Sequence, residues 1–578
     1  MPSFDLPAVS GQTRLEVLQV GAAPLVRHFL DLLDLPGLLE RHLPHLPGRQ
    51  PDLPTSTVLL LLLGNLLLSR KPLYGIPAWA ASFVPEHLGL LAGQVALLND
   101  DRCGRALDHL FRADRASLFT AITLRAIRIF QLALNQLHQD TTTVTVSGEY
   151  RGQPPATQSG RPARICRGYN KDHRPDLKQL LYNRTITADG AVPVHCKIYD
   201  GNTTDNEVHR DTWLALCGLI GSSNFLYVGD SKLCNHDDLK MIAEGQGRFL
   251  TVMPRTRAEA GRFCARLLQE PVNWVLVSRQ ANPRGKKKPK VVYRGCEDEL
   301  GSQEGHRILW YLSSQKQQRD KEARQKKLTK ARKRLKRLRP AGRGTAFKSE
   351  QAAREAAERV LDEAGVQAWL AVRIEEEVQT EHVQVGPGRP GPNTLYKQVR
   401  TVTYQVRAEE KAAALREAEQ CDGLFPLMTN DKGLSLTDAL RKYKYQPYAE
   451  KRHAQLKSVF GVVPVWLKQG KRVESLLWLY HLVEVIQALL EREVRRRMEE
   501  NKIASLPLYP ENRPSKAPTA ELLLGMLQGH RRYQLLNEQG QALHTFHEPL
   551  HAAAPQLLDL LHVNRSAYGL PFPSTGDH

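Results

Sequence analysis

The feature that most constrains this chain is a change of periodicity at Asp140. Upstream, from Leu15 to about Leu137, apolar residues recur at helical spacing, as in Leu25, Phe29, Leu32 and Leu33, and Pro-containing stretches such as Pro44 to Pro54 punctuate them. That pattern predicts an all-helical amino-terminal part. From Thr141 to Val146 every residue is Thr or Val, and Gly148 follows. A β-branched run crowds a helix and suits a strand. Further strands are predicted at Leu180 to Thr187 and Pro193 to Tyr199, with Asp189-Gly190 as the hairpin turn between them. A helix over Glu207 to Leu219 and a short buried strand over Phe225 to Val228 complete the series. Three strands, a helix and a strand ending at Asp230 make an α/β order.

After Met253 the alternation is lost until about Asp422, and the stretch reads as an insertion with strand-like pieces at Trp274 to Val277, Lys290 to Tyr293, Ile308 to Leu312 and Leu395 to Val406. Within it, Lys316 to Arg339 holds thirteen Lys and Arg against Asp320 and Glu322. No apolar face wide enough for burial accompanies the charge, so a solvated helix or flexible arm is expected. Leu424 to Met428 resumes a strand, which Pro426 should confine to an edge or a bulge. Val473 to Met498 is a long helix ending in Arg495, Arg496 and Arg497, where cations suit the helix dipole.

The 578 residues suggest about three to four domains. The excess of 81 Lys and Arg over 61 Asp and Glu leaves +20, a field that favours polyanions, whether nucleic acid or an anionic membrane surface. Eight cysteines are scattered without a C-x-x-C pair, so no zinc ribbon or dithiol motif is written, and a reducing cytoplasm is expected. Met1 to Gln12 lacks the basic-then-apolar order of a secretory signal. The longest apolar run, Val58 to Leu68, is broken by Gly64 and Asn65 and reads as a buried core helix, too short to span a bilayer.

Two carboxylates stand where strands begin or end: Asp140 opens the Thr-rich strand and Asp230 closes Phe225 to Gly229. A carboxylate there is held on a rigid frame yet can face a cleft, as a metal ligand must, although a turn or cap residue has the same address. A third sits in Tyr443-x2-Gln446-x3-Glu450-x6-Lys457, where Pro447 fits the first turn of a helix, Glu450 follows in that turn, and Lys457 falls almost two turns on, on the same face. A surface Glu and Lys on a polar helix would look alike. Asp237 and Asp238 read as helix caps, as does Asp205, and Asp172, His173 and Asp176 as a hydrogen-bonded loop. Trp274, Trp310 and Trp369 could stack on unpaired bases or fill a core.

At these residues the chain resembles the bacterial insertion-sequence transposases of the DDE class, in the group marked by Tyr-x2-Arg-x3-Glu-x6-Lys. Tyr443, Glu450 and Lys457 match that signature, while Gln446 stands in the place of the Arg, whose charge Lys451 or Arg452 could supply. The resemblance extends to Asn99-Asp100-Asp101-Arg102 with Gly104 to Leu107, to Gly168 through Asp176, and to Leu506 through Pro510.

The resemblance implies an α/β fold with a ribonuclease H-like catalytic core, a β-containing insertion and flanking helical domains. The implied division is a helical DNA-end-binding domain at 1–136, core at 137–253 and 422–500, insertion at 254–421 and a helical region at 501–578. It implies a metal-dependent DNA transposase with Asp140, Asp230 and Glu450 as catalytic ligands of two Mg²⁺ ions, for which Mn²⁺ can substitute. Tyr443, Gln446, Lys451, Arg452, Lys457 and Trp310 are the expected DNA contacts. Element ends and target DNA are the expected partners, a homodimer the expected synaptic unit, and no membrane is expected. A nuclease of the same fold without strand transfer, and a domesticated DNA-binding protein without catalysis, are the alternatives.

Overall fold

A computed structural model of the chain describes residues 13–571 apart from 45–50, 92, 156, 157, 159, 283, 284, 286, 340–345, 460–466 and 510. The Met1 to Gln12 segment, the middle of the Pro44 to Pro54 stretch, the Asp205 side chain and Pro510 therefore lie outside the described residues. The chain is mixed α/β and divides into two compact units, Met1–Leu250 with Lys442–His578, and Thr251–Arg441.

The first unit starts with β1 (Arg14–Gln19), which pairs antiparallel with Arg531–Leu536, itself paired with Ala542–His547. This corrects the expectation of all-helical ends. Leu15 and Val17 alternate with Arg14, Glu16 and Leu18, and the partner strand lies at the far end of the chain, out of reach of any local periodicity. The main strands are β2 (Gln136–Val146), β3 (Lys178–Thr187), β4 (Pro193–Tyr199), β5 (Leu226–Gly229) and β6 (Arg248–Val252), in the order β4-β3-β2-β5-β6. β2, β3 and β4 are antiparallel neighbours, β3 and β4 joined by a short turn and β2 and β3 by the long segment that carries Lys171, whereas the helix Asp205–Ile220 carries the chain across so that β5 runs parallel to β2.

The Leu-rich run forms the helix Thr55–Leu68, buried on all sides, beside Asp100–Arg112 and the long helix Gly470–Glu500. Among the described residues that long helix is the single one apolar and long enough to cross a membrane, but 89% of its most apolar window is buried inside the protein. It also carries acids that pair internally: Glu474 with Arg115, Glu484 with Arg184 and Glu491 with Arg452. Asn99 caps Asp100–Arg112 by accepting from the Arg102 N–H at 2.8 Å. A Cβ at Gly104 would lie 2.6 Å from the Arg472 guanidinium, so glycine there lets Arg472 reach Asp108 at 2.8 Å.

The second unit holds β7 (Val275–Gln280), β8 (Val291–Glu297), β9 (Arg307–Ser313), β10 (Leu370–Gln384), β11 (Tyr396–Glu410) and β12 (Leu424–Thr429). β12-β9-β8-β7 form an antiparallel sheet, and β10 with β11 a long separate hairpin. Pro426 does not put β12 at an edge: β9 pairs on one side and the Pro426 carbonyl accepts the Met253 N–H at 3.1 Å. The basic segment is a helix, one of the two forms expected, and it is corrected only in having a buried face. It forms the helix Ser314–Lys336 with Arg324, Leu328, Ala331 and Leu335 buried against the helix Glu350–Ala364 and the foot of the hairpin. The stripe is one residue wide per turn, too narrow to show as amphipathic periodicity, yet each buried Leu contributes about 1.5–3 kcal/mol.

Candidate active site

β2 and β5 run parallel with His138 opposite Val228 as their last pair, and two residues further along each chain stand Asp140 and Asp230. Strand alternation turns both toward the same side of the sheet. The third carboxylate comes from the helix Gln446–Ala454, whose second residue is Pro447 and whose Ala449 packs on Ile186 and Ala191. Glu450, the next residue, is exposed.

The three carboxylates share one electrostatic environment. Burial, opposed by the Lys171 cation and reinforced by the charges of Asp230 and Glu450, pushes the Asp140 carboxyl up to about 6. Burial and the charges of Asp230, Glu450 and Asp140 together raise the Tyr443 hydroxyl above its ordinary range. Asp230 behaves oppositely. Burial raises it, but His209, the Lys232 backbone N–H at 2.9 Å and Lys171 outweigh burial and hold it below the usual carboxylate range.

Lys171 reaches this site from the loop Gly168 to Asp176, and the loop is built rather than loose. A Cβ at Gly168 would lie 2.1 Å from the Gly201 carbonyl oxygen, so only glycine allows that backbone approach. Asn170 accepts from the Asp172 N–H at 2.8 Å and donates to Gln179 at 2.8 Å, while Gln179 donates to the Gly201 carbonyl at 2.7 Å. The Lys171 ammonium donates to the Thr141 carbonyl at 2.8 Å, one residue from Asp140.

Behind Asp140 lies a buried polar chain. Arg184, opposite Asp140 on β3 and fully buried, pairs with Glu484 of the long helix and donates to His453 Nδ1 at 3.0 Å. An arginine cannot accept, so His453 carries its proton on Nε2. That atom lies 3.6 Å from Asp140 Oδ2. Burial, then the cations of Arg184, Lys171 and Lys457, keep this histidine neutral.

The expected DNA contacts divide. Lys451 is exposed beside Glu450, and Tyr443 is half-buried among the carboxylates. Three others are corrected. Gln446 is buried, donating to the Gln139 carbonyl at 2.7 Å and accepting from His138 Nδ1 at 2.9 Å, a pair of bonds that an arginine, without an acceptor, cannot make. Arg452 is buried on Glu491 at 2.9 Å and on Gln455 at 2.9 Å, so its charge is neutralised inside the unit. Trp310 is 1% exposed, stacked on Phe263 at 4.1 Å between ring centres, and offers no face to a base. Trp274 and Trp369 are half-buried. Lys457 lies past the end of the α-helix, in a π-turn over Gln455–Val459, so the periodicity that put it on Glu450's face stops at Ala454. Its ammonium grips both Asp172 oxygens at 2.7 Å, which fastens the Lys171 loop.

Asp237 and Asp238 open a helix capped by Asn235, which accepts from the Asp238 N–H at 3.0 Å. Lys171, Arg184, His453, Glu484 and His209 were not expected at the site. The quoted Gly168 to Asp176 motif and the three-residue spacing of His453 from Glu450 were the available signals.

Two acids on a sheet, a third on a helix and a cation between them can hold a hard divalent ion, because carboxylate oxygens are its preferred ligands and the ion relieves their mutual repulsion. The Asp140 carboxyl, raised by burial and by the charges of Asp230 and Glu450, fits such a group. Among the described residues no three His, Cys, Asp or Glu side chains already stand close enough to hold one.

Comparison with known proteins adds little to this geometry. A family model described as a domain of unknown function, DUF4277, matches residues 15–124, from β1 into the helices that precede β2. No curated protein matches the chain. Among solved structures, the chain is similar to a piggyBac transposase synaptic complex with hairpin DNA, at 8% identity and a TM-score of 0.36, covering 90% of this chain and 82% of that one. A likeness of that extent carries no argument about fold or chemistry.

Proposed function

We propose that the chain is a DNA transposase that cuts the ends of an insertion sequence and joins the freed 3′-hydroxyl to target DNA, with Asp140, Asp230 and Glu450 as its acidic triad on a ribonuclease H-like core. The observation that carries this reading is the shared environment of three carboxylates whose charges all act on Tyr443, although the whole second unit separates Glu450 from the aspartates in sequence.

Two Mg²⁺ ions held by these carboxylates would activate the attacking oxygen and stabilise the leaving one. The chain's own groups do the rest. Thr141 donates its backbone N–H to Asp140 Oδ1 at 2.8 Å and fixes one oxygen, while His453 stands beside the other. Lys171 opposes the repulsion among the acids, so that they stay gathered between turnovers. Lys451 is free to meet the phosphate backbone. Water attacks the phosphodiester at the element's end and the 3′-oxygen leaves as a hydroxyl. That hydroxyl then attacks a second phosphodiester, on the opposite strand or in target DNA, and displaces its 3′-oxygen. Two copies would hold the two ends.

The test is incubation of the full chain with duplexes from the DNA flanking its reading frame. Metal-dependent nicks bearing a 3′-hydroxyl at a terminal repeat support the proposal, and none with any flanking duplex overturns it.

A further inference from the structure

The helix Ser314–Lys336 has two opposite faces. Arg324, Leu328, Ala331 and Leu335 face the interior of the second unit. Lys326, Lys330, Lys333 and Arg337 follow at intervals of four, three and four, which at 100° per residue places them within about 60° of one another and roughly opposite the buried stripe. These four line one open groove of about 810 Å³ beside Val360. The three lysines are exposed, and none of the four makes an ion pair among the described residues. Their neighbours Arg332 and Arg334 are taken by Glu410 and Glu363, so Arg334, which also lines the groove, brings no open charge to it. Lys316 and Arg324 are likewise paired, with Asp320 and Asp422. Lys321, Lys327 and Lys336 are exposed as well, but at 100° per residue they point in three different directions and none lines the groove.

From this we infer that the groove is a binding surface for the phosphate backbone of duplex DNA, distinct from the candidate active site and contained wholly in the second unit. The dimensions fit. Lys326 to Arg337 spans about 16 Å at 1.5 Å per residue, alongside about five phosphates of one strand at 3.4 Å each. A helix anchored by its apolar stripe holds the cations in place before binding, so little ordering opposes association. Point charges without base-reading partners make the contact independent of sequence. The inference deepens the proposed DNA role and rests on it for the choice of duplex DNA among polyanions.

The experiment compares two triple variants of the full chain with equal loss of charge. K326Q/K330Q/K333Q removes cations from the groove. K321Q/K327Q/K336Q removes three that are exposed on the same helix outside it. Binding of a mixed-sequence duplex of about 30 base pairs is followed by fluorescence anisotropy across salt, with circular dichroism to check that both variants fold. The groove variant should flatten the slope of log K against log salt by about 2–3, near 0.9 per lost phosphate contact, and the control by less than about 1. Equal slopes for the two variants would show net charge alone and overturn the site. An unchanged slope in the groove variant would do the same. Loss of heparin or single-stranded RNA binding with duplex binding intact would overturn the choice of partner. Cleavage is measured separately: its absence in every variant and in wild type would count against the transposase reading and leave the groove standing.

Discussion

Around Asp140 in the first unit the charged side chains are matched to one another, Arg184 to Glu484, Arg452 to Glu491 and Lys457 to Asp172, whereas along the helix Ser314–Lys336 in the second unit Lys326, Lys330 and Lys333 stand in water. The first arrangement fixes geometry. Arg184 and Arg452 cannot serve a substrate without breaking a buried pair, so they position the acids. The second arrangement offers charge to a partner and contributes affinity through counterion release, with little to say about chemistry. A basic residue in a recognised motif is therefore no guide to a nucleic-acid contact until its intramolecular partner is known.

The largest effect expected from this contrast is at Asp140. Asp140→Ala should lower strand cleavage by on the order of 10³-fold or more while DNA affinity changes only a few-fold, since several kcal/mol of transition-state stabilisation is lost and no cation of the groove is touched. Single-turnover cleavage beside a binding isotherm separates the two. Equal losses in both would erase the division of labour.

Arg452 sharpens the comparison from the other side. If it is structural, Arg452→Ala leaves buried Glu491 with Arg495 at 3.6 Å and the Ala520 N–H at 3.1 Å and should destabilise the fold by up to about 3–5 kcal/mol, while the double variant R452M/E491L recovers most of it. Chemical denaturation reads both. A variant that folds as stably as wild type but binds DNA weakly would return Arg452 to the DNA contacts.

Metal-free stability gives an effect of similar kind and smaller size. The folded Asp140 carboxyl lies near 6 against an ordinary 3.8, so the folded state holds a proton that the unfolded chain releases. The associated stability is complete below about pH 4 and is lost as the pH rises through 6. Asp140→Asn should therefore stabilise the metal-free protein by about 2–3 kcal/mol above pH 7, and the gain should shrink as the pH falls from 6 toward 4. Unfolding midpoints in chelator at several pH values test this. A gain that does not depend on pH would show that the carboxyl is not held in a proton-favouring site.

The smallest of the four is at His453. Removing a group that positions a ligand costs about 10–100-fold, so His453→Ala should lose that much cleavage and raise the Mg²⁺ concentration at half-maximal rate. His453→Gln keeps an N–H donor near the Nε2 position and should recover part of both. Identical behaviour of the two variants would mean that the ring only fills space.

Much of the sheet was legible in the sequence because its strands are short apolar or β-branched runs bounded by turn residues. The observed β4 has the expected ends, and β2 and β3 differ only by a few residues at one end. β1 was not legible, since its partner lies at the other end of the chain. The basic helix was misread because one buried residue per turn among lysines leaves little periodic signal. At the site, the candidate acids could be named from their places at strand and helix ends. The polar chain Glu484-Arg184-His453 could not, because each link comes from a different element and depends on packing between them. Gln446 and Arg452 show the same limit: their motif positions were visible, and their buried partners His138 and Glu491 were not.

The central claim is that Glu450 completes one acidic site with Asp140 and Asp230. Glu450 is exposed, so Glu450→Gln should fold normally, keeping size and hydrogen bonding and losing only the anionic oxygen. The decisive measurement is single-turnover cleavage of a duplex carrying the element's end, in Mg²⁺ and in chelator, by wild type and by this variant. Wild type should leave a 3′-hydroxyl nick in Mg²⁺ alone, and the folded variant should leave none. Cleavage by Glu450→Gln at the wild-type rate would contradict it.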